Sequence, residues 1–122
     1  MKILSIDPNA QITSMLDKVL NSYGFEYSYV NNWKDGLKII QEQNFDLVLL
    51  DLALPELSGV DIIDTLEKEN LLYKKKIILF TASSMTDKEM HYLLNRGVHS
   101  YIRKPIDIDQ LIERLNQIGA EL

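Results

Sequence analysis

The segment Leu47-Val48-Leu49-Leu50-Asp51 indicates the fold class, because four consecutive apolar residues lead directly into a carboxylate. A second run, Ile77-Ile78-Leu79-Phe80, leads in the same way into Thr81. A strand with one solvated face alternates apolar and polar side chains, whereas a strand covered on both faces of a parallel sheet is apolar throughout. Both runs therefore predict central strands of a parallel sheet.

Three further segments have the composition of strands, and one of them is patterned differently. Glu26 and Ser28 alternate with aromatic residues, which predicts an edge strand with one solvated face. In chain order, the predicted strands are Ile3–Ile6, Phe25–Val30, Asp46–Leu50, Ile77–Phe80 and Val98–Ile102.

Helical periodicity occupies the segments between and after these strands. The first predicted helix places six apolar residues on one face and stops at Gly24; they are Ile12, Met15, Leu16, Val19, Leu20 and Tyr23. The second contains Trp33, Leu37 and Ile40, and its Gly36 costs about 1 kcal/mol in helix propensity against alanine.

The remaining helices are marked by capping residues. Ser58 and Thr86 have the spacing of capping boxes, and Asp107 precedes a stripe that runs from Ile108 to Ile118. The segment Asn70–Lys76 is predicted to be a loop. Strand and helix thus alternate five times, which predicts an α/β protein with a doubly wound five-stranded parallel sheet.

Composition narrows the classes of protein that the chain can belong to. The 122 residues are 46% hydrophobic and 25% charged, with a formal charge of −5 and no cysteine. These values predict one globular domain over residues 1–122 and exclude a disulfide scaffold or a cysteine-ligated zinc site. The acidic balance argues against direct nucleic-acid binding through bulk charge, since the only basic run is Lys74–Lys76. No apolar run is long enough to cross a membrane, and we expect a cytoplasmic protein.

Polar residues follow four of the five predicted strands. Asp7 follows the first, Asp51 the third, Thr81 with Ala82 the fourth, and Lys104 comes shortly after the fifth. Ligands of open parallel sheets bind beyond the carboxyl ends of the strands, so these residues are predicted to share one rim. Two neighbouring carboxylates attract a cation, and an all-oxygen site suits Mg²⁺.

The residues at this rim resemble those of a bacterial two-component response-regulator receiver domain, similar to chemotaxis regulators, along essentially the whole chain. The resemblance is carried by Ile3–Asp7, by Asp46–Leu52 followed by Pro55 and Gly59, by Phe80-Thr81-Ala82, by Tyr101–Pro105, and by Asp35-Gly36 in the second helix. It implies a flavodoxin-like (βα)5 fold with strand order 2-1-3-4-5.

The resemblance also implies a role for each rim residue. Asp51 is implied as the phospho-acceptor, with Thr81 and Lys104 as its catalytic partners, and Thr81, Ala82 and Lys104 as the phosphate-binding residues. Thr81 and Tyr101 are implied as the switch pair. The implied metal ligands are Asp7, Asp51 and the backbone carbonyl of Ala53, which would hold Mg²⁺. The Lys104–Pro105 peptide bond is expected to be cis.

The implied partners are a histidine kinase or phosphotransfer protein upstream and an output domain or protein downstream. The downstream partner is expected on the face made by the fourth helix, the fifth strand and the fifth helix. Its candidate contacts are Lys88, His91, Tyr92, Asn95, Arg103 and Gln110.

Pro8 is the clearest departure from the family pattern, which has a second acid at this position. Proline supplies neither a carboxylate nor an N–H group, so magnesium binding is expected to be weakened. Asn9 has an amide oxygen to offer, although capping of the first helix is its expected role. Two functions follow: a phospho-acceptor with a weakened metal site, or a phosphorylation-independent interaction module with a degenerate one.

An enzyme is the third class, and the sequence gives it little support. There is no phosphate-binding glycine loop of the common nucleotide-binding kinds and no cysteine nucleophile. His91 and His99 are isolated, and surface positions are expected for both.

Overall fold

The computed structural model describes residues 1–82 and 85–121. Ser83, Ser84 and Leu122 lie outside the described residues. The elements are β1 (Lys2–Ile6), α1 (Ala10–Ser22), β2 (Glu26–Val30), α2 (Trp33–Glu42), β3 (Leu47–Leu50), α3 (Gly59–Lys68), α4 (Leu71–Lys74), β4 (Ile77–Thr81), α5 (Asp87–Arg96), β5 (Ser100–Arg103) and α6 (Ile108–Ala120).

The strands form one parallel sheet in the order β2-β1-β3-β4-β5. This confirms the α/β fold and the strand order, and it places β2 at an edge as its alternating pattern predicts. The continuously apolar β3 lies at the centre, where all four of its residues are buried. Helices cover both faces, so neither face of the central strands meets water.

Two apolar cores lie on opposite faces of the sheet because neighbouring side chains of a strand point to opposite sides. Leu4 and Ile6 of β1 pack in one core with residues of α2, α3, α4 and α5. Ile3 of the same strand packs in the other core with residues of α1 and α6. Each loop at the carboxyl end of the sheet therefore joins a strand to a helix that is anchored on one face.

The predicted capping residues begin their helices. The side chains of Asn9, Ser58 and Asp107 accept hydrogen bonds from backbone N–H groups in the first turns of α1, α3 and α6. Thr86 and Glu89 form a reciprocal capping box at the start of α5.

The structure corrects the prediction at two helices. The segment predicted as the loop Asn70–Lys76 contains the short helix α4, because Leu71 and Leu72 turn inward and are buried. On α1, Met15 and Tyr23 were predicted on the buried face but are 44% and 58% exposed. Met15 lies at the margin of the apolar stripe, and Tyr23 lies beyond the last helical turn.

Strand ends differ from the prediction by one or two residues. β2 begins at Glu26 rather than Phe25, β4 continues through Thr81, and β5 begins at Ser100. Among the helices of the described residues, none combines the length and apolar character required to span a bilayer.

Candidate functional site

Asp7 and Asp51 lie side by side at the carboxyl end of the sheet. Ile6 pairs with Leu50 in the register of β1 and β3, so the residues that follow them emerge together. The Asp51 N–H group donates to the Ile6 carbonyl at 2.9 Å, which continues the strand pairing to the first residue of the loop. Asp7 is 1% exposed and Asp51 6% exposed, so two carboxylates share a largely dehydrated position.

Lys104 supplies the positive charge between these carboxylates. Its Nζ donates to Asp7 Oδ2 at 2.6 Å and to Asp51 Oδ2 at 2.7 Å. The lysine side chain is only 10% exposed. Its backbone N–H donates to the Thr81 carbonyl at 3.0 Å, and the expected cis peptide bond between Lys104 and Pro105 is present. One ammonium therefore balances one of two buried negative charges, and the pocket keeps a net charge of −1.

The second oxygen of Asp51 is held by different donors. Asp51 Oδ1 accepts from the Ala53 backbone N–H at 2.8 Å and from Thr81 Oγ1 at 3.0 Å. Thr81 is fully buried at the end of β4. Three donors thus fix the orientation of the Asp51 carboxylate, and all three belong to residues named in the sequence prediction.

Asp7 is held in an equally specific way. Its Oδ1 accepts from the Asn9 N–H at 2.9 Å, and its backbone carbonyl accepts from Asn31 Nδ2 at 2.9 Å. The Asn9 side-chain oxygen accepts from Gln11 and Ile12, so it caps α1. Asn9 therefore has the role that the sequence favoured over metal binding.

Tyr101 and Thr81 lie on the same face of the sheet. Tyr101 pairs with Leu79, and Thr81 follows Leu79 by two residues, so their side chains point to the same side. The Tyr101 ring is partly buried against the core on that face, and the Arg103 guanidinium lies 5.6 Å from the ring centroid. Ala82, the remaining predicted phosphate contact, is exposed at the rim directly after Thr81.

Sequence reasoning missed two groups of residues that support the pocket. Asn31 comes directly after β2, so the same rim rule that selected Asp7 could have selected it. Glu56 accepts from the Trp33 N–H at 3.1 Å and joins the loop after β3 to the start of α2. No sequence pattern marks this second contact, which depends on how two loops meet.

The donor atoms at this rim suit a hard divalent cation. Asp7 and Asp51 offer carboxylate oxygens that already converge on one cationic nitrogen, and the Ala53 carbonyl belongs to the same loop as Asp51. Within residues 1–82 and 85–121, no cluster of three or more acidic or histidine side chains has the arrangement of a metal site. Two carboxylates and one carbonyl fit Mg²⁺, which commonly binds few protein ligands and keeps several waters.

Comparisons with known proteins agree with this geometry. The family model described as "Response regulator receiver domain" matches residues 3–116. The DNA-binding response regulator MtrA of Mycolicibacterium paratuberculosis is 32% identical over 93% of this chain and 49% of its own length. The probable transcriptional regulator ycf29 of Pyropia yezoensis is 28% identical over 98% of this chain and 53% of its own length. The chain thus spans about half the length of these curated relatives.

Solved structures show the same relationship. The receiver domain of the Francisella response regulator 1452 superposes with a TM-score of 0.84 at 25% identity, covering 98% of this chain and 97% of that one. The response regulator TrrA of Thermotoga maritima, solved in complex with Mg²⁺-BeF, superposes with a TM-score of 0.77 at 28% identity and covers 96% and 97%. With a family match over nearly its whole length and a rim that joins two acids, a threonine and a lysine, this chain belongs to the response-regulator receiver domains of two-component systems.

Proposed function

We propose that residues 1–122 form one phospho-acceptor signalling domain in which Asp51 receives a phosphoryl group from a histidine kinase or a phosphotransfer protein. The observation that carries this proposal is the buried Asp51 carboxylate, held between the Lys104 ammonium and the Thr81 hydroxyl. Receiver domains are signalling domains, and they interact with kinases or phosphotransfer proteins and with output domains.

The proposed reaction moves one phosphoryl group between two side chains. An Asp51 oxygen attacks the phosphorus of a phosphohistidine, a P–O bond forms and the P–N bond breaks. The electron pair returns to the imidazole nitrogen, which takes up a proton, and Asp51 becomes an acyl phosphate. The donors around Asp51 favour this step because they hold its carboxylate in one orientation before the phosphohistidine arrives.

Three groups of the chain are placed to hold the phosphoryl oxygens. Lys104 would move its hydrogen bond from the carboxylate to the phosphoryl group, where a charge-assisted bond is strong. The Thr81 hydroxyl and the Ala82 N–H lie at the end of the neighbouring strand β4. Asp7, Asp51 and the Ala53 carbonyl would hold Mg²⁺, which supplies charge neutralisation when bound. With Pro8 beside Asp7, this binding is proposed to be weaker than in a domain with two adjacent acids.

The proposed output is a change in the face formed by α5, β5 and α6. These elements correspond to the fourth predicted helix, the fifth predicted strand and the fifth predicted helix. Phosphorylation adds nearly two negative charges at the rim. When the Thr81 side chain turns toward these charges, it leaves space on the face of the sheet that it shares with Tyr101. The Tyr101 ring then moves inward, and a partner that binds this arrangement more tightly is recruited. Five candidate contacts on this face are exposed, namely Lys88, His91, Tyr92, Asn95 and Gln110. The sixth, Arg103, is partly buried and bound to Met85 and Asp87.

Incubation with acetyl phosphate and Mg²⁺, followed by intact mass measurement, tests the proposal. We expect one phosphate per chain, sensitive to hydroxylamine as an acyl phosphate should be, and absent in Asp51→Asn. Asp109→Asn, which changes an exposed acid of α6, is the matched control and should be labelled normally. Absence of label on the wild type even at high Mg²⁺ would overturn the proposal and favour the phosphorylation-independent module.

A further inference from the structure

Asn31 connects β2 to the loop that carries Asp7. Its Nδ2 donates to the Asp7 backbone carbonyl at 2.9 Å and to Thr13 Oγ1 at 3.0 Å. Thr13 is fully buried in the first half of α1, and Asn31 is half-buried at the end of β2. One amide group therefore ties together the end of an edge strand, an active-site loop and the helix that follows the loop.

The polar groups of Asp7 are held from several directions. Its N–H donates to the Val30 carbonyl at 3.2 Å, its Oδ1 accepts from the Asn9 N–H, and its Oδ2 accepts from Lys104. The Asn31 amide holds the carbonyl, so the two backbone groups of Asp7 are bound by two consecutive residues at the end of β2. Pro8 has no N–H group that could stabilise the loop by a hydrogen bond. The hydrogen bond from Asn31 therefore contributes more to holding the Asp7 backbone in place.

Thr13 gives the Asn31 amide a fixed second partner. The Thr13 hydroxyl is within 3.4 Å of the Asn9 carbonyl and 3.3 Å of the Ala10 carbonyl, which lets it donate to the first turn of α1 while it accepts from Asn31. A fully buried hydroxyl with both roles filled has little freedom to turn. The position of Asp7 is thus coupled to the start of α1 through two side chains.

We propose that Asn31, supported by Thr13, is a positioning residue for the acidic pocket. It sets the backbone at Asp7 so that the carboxylate meets Lys104 and a divalent cation, and it touches neither the metal nor the phosphoryl group. The relevance of this placement to phosphoryl transfer rests on the function proposed above. Partners that orient a metal ligand influence metal affinity strongly although they do not bind the metal.

Two substitutions at Thr13 and one at Asn31 separate positioning from general stability. Thr13→Val keeps the shape and removes the hydroxyl, whereas Thr13→Ser keeps the hydroxyl. Asn31→Leu keeps the approximate volume and removes the donor. We expect calorimetry with MgCl₂ to show about tenfold weaker binding in Thr13→Val and Asn31→Leu. Thr13→Ser should stay within about twofold of the wild type.

A control variant addresses unspecific destabilisation. Ile118→Val loosens the core beneath α6, away from the rim, and should leave the Mg²⁺ dissociation constant unchanged. If Mg²⁺ binding is weakened equally in Ile118→Val and Asn31→Leu, the proposal is overturned. It is also overturned if Asn31→Leu and Thr13→Val both fold and bind Mg²⁺ with the affinity of the wild type.

Hydrogen exchange gives a second measurement that needs neither metal nor phosphate. The Asn9 amide donates to Asp7 Oδ1, so its protection reports the placement of that carboxylate. We expect its exchange to rise on the order of tenfold in Asn31→Leu and Thr13→Val, with the Leu49 amide in β3 unchanged. Unchanged Asn9 exchange contradicts the positioning role even in a domain that binds no Mg²⁺. Absence of acetyl phosphate labelling in the wild type would contradict the proposed function but would not contradict the positioning role of Asn31.

Discussion

The Lys104 ammonium lies 2.6 Å from Asp7 Oδ2, although 97 positions separate the two residues in the chain. The same nitrogen contacts Asp51, and both carboxylates are more than 90% buried. A lysine placed this way has two consequences. Its charge reduces the repulsion between the two carboxylates, and its hydrogen bond fixes the orientation of the Asp51 carboxylate.

Removal of Lys104 should destabilise the fold without abolishing it. Lys104→Ala leaves two buried carboxylates without their cation, and the expected loss is about 3 kcal/mol in the free energy of unfolding. Adding Asp51→Asn to this variant should restore about 1 kcal/mol or more, because one of the uncompensated charges disappears. Urea unfolding at neutral pH measures both effects. Lys88→Ala on the exposed side of α5 is the control, and equal loss in both lysine variants would contradict the prediction.

Pro8→Asp should strengthen magnesium binding. A carboxylate about 5 Å from a divalent cation attracts it with roughly 2 to 7 kcal/mol before desolvation is subtracted. We expect a net gain of about 1.4 kcal/mol, which is a tenfold lower dissociation constant in calorimetry with MgCl₂. Pro8→Ala separates the added charge from the loss of the proline ring. If Pro8→Ala binds Mg²⁺ as tightly as Pro8→Asp, the absence of a carboxylate at this position does not weaken Mg²⁺ binding.

Gly36→Ala should destabilise the protein, although alanine is the better helix former. A Cβ atom at this position would lie 2.7 Å from Ile6 Cδ1 and 2.9 Å from Ile6 Cγ1 and Cγ2. Overpacking typically costs 1 to 3 kcal/mol, and the middle of that range, about 2 kcal/mol, exceeds the gain of about 1 kcal/mol in helix propensity. We expect a net loss of about 1 kcal/mol in urea unfolding, reduced in combination with Ile6→Val, which removes the atom in closest contact. A more stable Gly36→Ala variant would refute this view of α2.

Tyr27 should make stability fall at alkaline pH. Burial raises the pKa of its hydroxyl well above the ordinary tyrosine value, with a smaller opposing effect from nearby Ser5. Neither hydroxyl forms a well-aligned hydrogen bond with a described residue. Above about pH 10 the unfolded chain loses this proton while the folded protein retains it, so unfolding becomes more favourable by up to about 1.4 kcal/mol per pH unit.

Tyr27→Phe should remove this contribution and leave stability unchanged below pH 9. The control is Tyr23→Phe, which alters an exposed tyrosine and should keep the alkaline decline. Urea unfolding between pH 8 and pH 11 compares the three proteins. An identical decline in the wild type and in Tyr27→Phe would show that other groups cause it.

Sequence patterns were sufficient for the strands and most of the helices, and their failures have local causes. The four-residue helix α4 is too short to produce a periodic pattern, so Asn70–Lys76 could only be predicted as a loop. Met15 fits the spacing of the buried face of α1 but lies at its margin, where a small rotation of the helix exposes it. Periodicity indicates which side of a helix is apolar. Packing against the neighbouring elements determines how many residues on that side are buried.

Sequence patterns alone predict the order of strands and helices and the rim where Asp7, Asp51, Thr81 and Lys104 emerge. These features follow from short-range periodicity and from the rule that parallel strands end on the same edge. That one ammonium bridges both acids, and that Asn31 contacts the Asp7 carbonyl, is visible only in the folded chain. Such contacts join residues between 24 and 97 positions apart, and side-chain reach between packed loops is a property of the assembled chain rather than of any segment.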